Sequence, residues 1–278
     1  MIFRSHKPGP PLAHLVDLIW CYEGYASDHK LERILPSGEM EIVINLSQDE
    51  TRLYDRNDLT RVRTQRGAIL MGTQTEHLVI DTAETANTIG VHFKPGCAFA
   101  FCPLPADELQ GLHVTLEELW GAGGALVRDR VLAASTVEAK FKVLESVLLE
   151  QAKKMERHPA VEFAVRVLSS ASPELASPAM YLTDVVRRVG YSQRHFNALF
   201  ESEVGLSPKK FSRVQRFQQV VWSVHQKNEV NWVDLALGCG YYDQAHFIHD
   251  FKAFSGMTPT EYMGLKTEHV NHVRVAGD

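Results

Sequence analysis

The sequence predicts a multidomain protein with a β-rich first part and a helical second part. Its 278 residues are more than one ordinary domain usually needs. In the first part, short runs of β-branched residues alternate with turn signals, which favours a sandwich or barrel over a parallel sheet. In the second part, apolar residues recur at helical spacing and one pattern occurs twice. We therefore expect a β-rich, sandwich-like or barrel-like domain with flanking helices over 1–157, and an all-α domain over 158–278.

The β-rich part contains several runs of strand length between turn signals. The strand candidates are Met40–Leu46, Gly67–Met71, His77–Ile80 and Thr88–Phe93. Helical periodicity replaces this pattern after Leu104. Thr115 and Glu118 have the spacing of a capping box in front of a helix. Ser135 with Glu138 predicts a second helix start, so we expect helices to follow the strands within the first domain.

Charge is distributed unevenly along the chain. The net charge is −5, which is not typical of a nucleic-acid-binding protein. Residues 1–159 contain 17 Lys and Arg against 22 Asp and Glu, whereas residues 160–278 contain 12 of each kind. Within the second part, residues 181–216 carry seven basic and three acidic side chains, and residues 229–263 carry one basic and five acidic. The average therefore hides a basic segment followed by an acidic one.

Cysteine usage and hydropathy indicate the environment of the protein. The four cysteines have no framework spacing, which predicts reduced thiols. No apolar run has the length needed to cross a bilayer, and residues 1–11 lack the apolar core of a signal peptide. We therefore expect a cytoplasmic protein without membrane contacts.

One series of metal-ligating residue types stands near the end of the predicted strands. His92, Cys97 and Cys102 follow one another at intervals of five residues. These intervals do not match a standard zinc module, and only three ligands are close in sequence. We therefore expect buried cysteines and a strand histidine here, with no metal and no cofactor.

One segment of the second part has the pattern of a short helix, a turn and a second helix. An apolar helix is predicted over Tyr181–Val189, and Gly190 ends it because glycine tolerates a left-handed turn. Ser192 then caps a helix that continues to Phe200. The residues left on the outer face of this helix are Gln193, Arg194, Asn197 and Ala198. Arginine can bond guanine bidentately, asparagine can bond adenine and alanine can contact a thymine methyl group, so this composition suits a major-groove reader.

The same pattern returns further along the chain. Gly190 and Gly240 lie 50 residues apart, and a short apolar helix precedes each of them. The aromatic residues of the second copy, Phe247 and Phe251, match those of the first only if the second turn is one residue longer. A long helix that begins after Ser207 is predicted to join the two copies. Similar segments end both copies: Gly205-Leu206-Ser207-Pro208 and Gly256-Met257-Thr258-Pro259.

Residues 181–263 resemble the DNA-binding domain of the AraC/XylS transcription regulators. The resemblance rests on Gly-Tyr-Ser at 190–192, Gly-Leu-Ser-Pro at 205–208, Asp-Gln-Ala-His-Phe at 243–247 and Gly-Met-Thr-Pro at 256–259. It implies two helix-turn-helix units, about 181–205 and 231–256, joined by a long helix. The segments 35–46 and 89–96 resemble an uncharacterised N-terminal domain of many bacterial AraC-like regulators. That second resemblance implies a sensor or assembly domain and names no ligand.

The resemblance implies a sequence-specific transcription regulator and not an enzyme. The residues that it places at the DNA are Ser192, Gln193, Arg194, His195, Asn197, Ala198 and Lys209 in the first unit, and Asp243, Gln244, Ala245, His246 and His249 in the second. Besides double-stranded DNA, the partners it implies are RNA polymerase, a small-molecule effector and a second copy of the chain.

Three positions depart from the family pattern. Family members usually have a small residue where Val186 stands, often Arg where His249 stands, and commonly a basic residue where Met263 stands. The last two changes remove positive charge from the second unit. Because phosphate contacts dominate affinity for DNA, we expect the first unit to contribute more of that affinity than the second.

Two alternatives concern the first domain. In one, it is an enzyme or a thiol-based or metal-based sensor that uses Cys97 and Cys102, which must then be accessible thiols of low pKa. In the other, it is a pure dimerisation module with no ligand pocket. Alkylation of the native protein distinguishes the first alternative from a passive core.

Overall fold

A β-rich region followed by a helical region is what the structure shows, as the sequence predicts. It is a computed structural model that describes residues 2–153, 156–169, 186–187, 190–225, 227 and 229–276. The strands are β1 (Ile2–His6), β2 (Val16–Glu23), β3 (Leu31–Ile34), β4 (Glu41–Asn45), β5 (Thr51–Tyr54), β6 (Val62–Gln65), β7 (Ala68–Met71), β8 (Leu78–Asp81), β9 (Asn87–Phe93), β10 (His113–Thr115) and β11 (His272–Arg274).

The strands form two separate sheets and not a closed barrel. One sheet has six strands in the order β1-β2-β9-β4-β7-β10, and the other has five in the order β11-β3-β8-β5-β6. Every pairing of these strands is antiparallel. Of the two forms that the sequence leaves open, the closed barrel is therefore excluded, and the two sheets have separate apolar clusters.

Four helices follow the sheets and cover one face of the larger sheet. They are α1 (Leu116–Trp120), α2 (Ala122–Ala125), α3 (Val127–Ala133) and α4 (Val137–Gln151). Ile19, Ile42 and Val91 on the sheet share a core with Leu144 and Val147 of α4, and each of these five side chains is at most 2% exposed. Side-chain alternation along the strands puts this apolar set on one face, where the helices exclude water from it.

The N-terminal ends of two of these helices can be compared with the caps predicted from the sequence. The capping box of Thr115 and Glu118 is confirmed, with both reciprocal hydrogen bonds formed. The predicted cap at Ser135 is wrong by one residue. Thr136 has the extended backbone of an N-cap, and its hydroxyl accepts a hydrogen bond from the backbone N–H of Ala139.

The second region consists mainly of helices. They are α5 (Pro159–Ser169), α6 (Gln193–Val204), α7 (Pro208–His225), α8 (Trp232–Gly238), α9 (Gln244–Ser255) and α10 (Pro259–Leu265). Most of the short helix predicted over Tyr181–Val189 lies outside the described residues. Of this segment the structure describes residues 186–187, which are helical. Among the described helices, none is long and apolar enough to cross a membrane.

A strand near the C-terminus joins the second region to the first. β11 pairs with β3, with Val273 opposite Arg33, and the side chain of Val273 is fully buried. We did not predict this strand, because three residues are too few to show a period of two. Its conformation depends on the sheet edge that it meets, and the sequence around it does not reveal that partner.

Candidate nucleic-acid interface

The first recognition helix, α6, begins at the predicted cap. The Ser192 hydroxyl accepts a hydrogen bond from the backbone N–H of His195 at 3.3 Å. Phe196 and Phe200 are fully buried, and they hold the inner face of α6 against the other helices. Gly205 ends the helix in the left-handed conformation, with φ of 83°. These local features turn one face and the N-terminal end of α6 toward solvent.

The exposed end of α6 carries the side chains predicted to meet DNA. Ser192, Gln193, Arg194, His195 and Ala198 are exposed, and Asn197 is partly exposed. The Gln193 amide donates a hydrogen bond to Asn197 Oδ1 at 2.8 Å, so these two groups satisfy each other when no ligand is bound. These side chains are therefore accessible from solvent.

The second recognition helix, α9, repeats this arrangement. Asp243 caps it by accepting a hydrogen bond from the backbone N–H of His246 at 2.7 Å. Three residues separate Gly240 from α9, against two between Gly190 and α6, so the longer second turn is confirmed. Gly256 ends α9 with φ of 72°, as Gly205 ends α6. The repeat in the sequence therefore corresponds to a repeat in structure.

The second helix presents a similar set of side chains. Asp243, Gln244, Ala245 and His249 are exposed, whereas His246 is partly exposed. The ring of His246 meets the edge of Tyr241 at 5.3 Å between centroids, and His195 meets Tyr191 in the same way at 4.7 Å. Each of these histidines therefore packs on the aromatic residue that follows the turn glycine, and less of its ring is free for DNA.

Basic residues at the start of the long helix extend the first surface. Lys209 and Lys210 are exposed in the first turn of α7, and the Lys210 backbone N–H donates to Ser207 Oγ at 3.3 Å. Arg216 lies further along α7, where it donates to the carbonyl oxygen of Gly240 at 3.0 Å and lies 4.9 Å from the ring centroid of Tyr241. Arg216 therefore holds the second turn, while Lys209 is exposed to solvent.

A buried ion pair joins the second recognition helix to α7. Arg213 Nη2 donates to Asp250 Oδ1 at 2.6 Å, and the Asp250 side chain is 1% exposed. The hydrogen bond that Arg213 donates to this carboxylate raises the pKa of Arg213. The guanidinium also lies over the ring of Phe254, 5.4 Å from its centroid. Sequence analysis missed this pair, although an acidic residue one position before Phe251 on the apolar face was a visible sign of it.

Several acidic residues of segment 229–263, including the one in this ion pair, form contacts within the fold. Of its five acidic residues, Asp250 is neutralised inside the fold, while Asp243 and Glu261 accept backbone hydrogen bonds at the starts of α9 and α10. These three carboxylates have structural roles. Only the charge of Asp250 is therefore neutralised by a cation, and the surface around α9 remains poorer in basic residues than the surface around α6.

Two cysteines of the first region are buried, and burial raises their pKa values. Cys97 and Cys102 are 4% and 9% exposed. Burial raises the pKa of both thiols, to about 12 for Cys102, and the contact of Arg157 with Cys97 opposes this effect only in part. His92 is paired with Glu41 at 3.5 Å. Within the part of the chain that the structure describes, no group of residues is arranged to hold a metal ion.

Two buried histidines give the folded protein a pH dependence. Burial lowers the pKa of His77 and of His113 to about 4, and nearby arginines add to the shift. As the pH falls below about 6.5, the unfolded chain binds protons that these folded rings resist. The contribution of these rings to the free energy of unfolding is therefore fully present above pH 6.5. It is lost between pH 6.5 and 4, and the loss is about 2 kcal/mol for each ring after allowance for solvent.

Denaturation by urea at pH 7 and pH 5 measures this loss. His77→Gln and His113→Gln should each flatten the dependence, and His195→Gln, which replaces an exposed histidine, serves as the control. A wild-type protein that is equally stable at both pH values contradicts the prediction.

Two family models match the chain. The model of a helix-turn-helix domain matches residues 174–264, and the model of a domain of unknown function (DUF6597) matches residues 4–115. In this chain an N-terminal DUF6597 domain is followed by an AraC-type helix-turn-helix domain. A helix-turn-helix domain of this kind supports a DNA-binding regulator.

Solved structures that resemble the whole chain include those of ToxT from Vibrio cholerae. ToxT from strain O395 is 12% identical, with a TM-score of 0.44, and the match covers 94% of this chain and 97% of that one. Wild-type ToxT from strain SCE256 with a bound unsaturated fatty acid is 11% identical, with a TM-score of 0.40 and coverage of 94% of each chain. At this level of similarity, neither the ligand nor the sites of ToxT are assigned to this chain. The comparison with curated proteins gave no match.

Proposed function

We propose that the chain is a sequence-specific transcription regulator that inserts α6 and α9 into two successive major grooves of DNA. The observation that carries the proposal is the duplicated helix, which is capped, backed by buried phenylalanines and polar at its exposed N-terminal end. Arg194 and Asn197 are proposed to read bases from α6, and Gln244 from α9. Lys209 and Ser192 are proposed to contact phosphates, and Asp243 to position the N-terminal end of α9 as its cap.

The N-terminal domain is proposed to control this binding. We place the domains at 1–157 and 158–278, with control by a small-molecule effector, by pairing with a second copy, or by both. RNA polymerase remains a predicted partner for activation. Such control requires two states of the protein that differ in affinity for DNA. We propose that contacts between the two domains couple the N-terminal domain to the DNA-binding helices.

Selection of bound sites from random DNA tests the proposal directly. Two recognition helices on one face of DNA predict enriched sites with two short elements about 10 base pairs apart. Enrichment of a single short element, or no enrichment above the starting pool, contradicts the proposal. The selection is run on the full chain because both domains contact the recognition helices.

The thiol-based alternative makes a different prediction about Cys97 and Cys102. Because both thiols are buried with raised pKa values, iodoacetamide at pH 7.5 should modify them slowly in the native protein and quickly in urea. Mass spectrometry of the peptides gives the two rates. Rapid native modification of either cysteine would support the sensor or enzyme and count against the passive core.

A further inference from the structure

One loop of the N-terminal domain contacts the ends of both recognition helices. The loop runs over 72–77, between β7 and β8. Near its start, the fully buried Thr73 donates a hydrogen bond from its hydroxyl to the carbonyl oxygen of Gly205 at 3.2 Å. A Cβ atom at Gly205 would lie 2.6 Å from Thr73 Oγ1 and 3.0 Å from the carbonyl oxygen of Ala106. The end of α6 is therefore in close contact with the N-terminal domain.

The other end of the same loop holds the second recognition helix. His77 is 8% exposed, and its ring lies so close to Gly256 that a Cβ atom there would overlap it. Gly256 ends α9 just as Gly205 ends α6, and both glycines have positive φ. Thr73 and His77, only four residues apart, thus contact equivalent points of the two helix-turn-helix units.

A second loop contacts the helix that joins the two units. Gln218 donates to the carbonyl oxygen of Pro36 at 2.8 Å, and Gln215 donates to that of Ser37 at 3.1 Å. Leu35, which is 2% exposed, packs in the core of the helical domain. The N-terminal domain therefore holds α6, α7 and α9 from one side, and the two units are connected through it as well as through α7.

These contacts lie at the opposite ends of the helices from the DNA-facing side chains. Each recognition helix has 12 residues, a length of about 18 Å. A helix of this length is stiff, so a fixed C-terminal end also fixes the place of the N-terminal end. Reading two grooves requires a defined distance between the N-terminal ends, since a change of one base pair both moves and rotates the second element.

We propose that Thr73 and His77 are positioning residues that set the separation of the two recognition helices, and thereby the spacing of the DNA elements that the chain accepts. The proposal rests on the proposed function, because it concerns the two-element site. It adds to that function a determinant of specificity outside the helix-turn-helix domain, in residues that do not touch DNA.

The experiment uses the full-length protein and the selected site, together with versions of that site in which one base pair is inserted or removed between the elements. Wild-type protein should bind the altered sites about tenfold or more weakly. The double variant Thr73→Val, His77→Ala should lose most of this discrimination, so that the ratio of the two Kd values falls at least threefold. Thr73→Ser keeps the hydroxyl and should keep the wild-type ratio.

Two residues of the same domain provide matched controls. Thr88 is also buried, and its hydroxyl donates to the carbonyl oxygen of Glu84 at 2.9 Å, away from the helices. His113, like His77, is a histidine whose pKa burial lowers. The double variant Thr88→Val, His113→Ala should therefore lower stability similarly and leave the ratio of Kd values unchanged. His77→Gln alone is the milder variant if the double variant at Thr73 and His77 does not fold.

The outcomes separate the two proposals. If wild-type protein selects a two-element site and the variants at Thr73 and His77 keep the wild-type ratio, the positioning role is wrong and the proposed function stands. If both double variants lower the ratio equally, the effect is one of general stability and the positioning role is again wrong. If wild-type protein selects no two-element site, both proposals fail.

Discussion

Replacing Arg213 by methionine is expected to lower the free energy of unfolding by about 3 kcal/mol. The change removes the guanidinium that is hydrogen-bonded to Asp250, and the remaining carboxylate is 1% exposed, with His246 and His249 each 3.7 Å away. Removing one member of a buried pair costs much more than the pair contributes, because the remaining charge is desolvated. Because Asp250 lies on α9, binding of the second DNA element should weaken together with stability.

Denaturation by urea measures the change, and two further variants isolate its cause. Arg130→Met breaks an exposed pair with Glu150, which should alter stability little. The double replacement Arg213→Met, Asp250→Leu removes both charges and should recover most of the loss. If Arg213→Met behaves like Arg130→Met, the buried pair does not hold α9 as the structure indicates.

Replacing Arg194 by alanine is expected to weaken binding to the selected site by about 10- to 100-fold. The side chain is exposed at the N-terminal end of α6, where a bidentate contact with guanine is within reach of the groove. Gln244→Ala should have a smaller effect, because the segment around α9 has one basic residue against seven in the segment around α6, and we expect it to hold DNA less strongly.

Binding measured at several salt concentrations separates the two contributions. Arg194→Ala should also relax the preference at one base pair of the first element, whereas Arg166→Ala, which removes an exposed arginine of α5, should leave that preference unchanged. An effect of Gln244→Ala as large as that of Arg194→Ala would show that the two units contribute equally.

Local features of the helix-turn-helix units could be predicted from the sequence. Caps at Ser192 and Asp243 and left-handed glycines at the ends of both recognition helices depend on a few neighbouring residues, so they are visible in the pattern. The register of the aromatic residues also predicted the longer second turn. The β-rich character of the first region followed from the regular alternation of strands and turns.

Long-range contacts could not be predicted in this way. Thr73 and Gly205 are 132 residues apart, and nothing near either residue indicates the other. The strand β11 becomes a strand only beside β3, and its short sequence shows no alternation. Asp250 was counted as a repulsive surface charge, because the sequence did not show that Arg213 lies against it. Each of these features depends on tertiary packing and not on local propensity.

Hydroxyl-radical footprinting of the wild-type protein on its selected site tests the central claim most directly. Two helix-turn-helix units that enter successive major grooves predict two protected segments on one face of the DNA, about 10 base pairs apart. In the Arg194→Ala protein, protection should be lost mainly from one of them. A single continuous protected segment, or protection that Arg194→Ala and Gln244→Ala remove from the same place, would contradict the account.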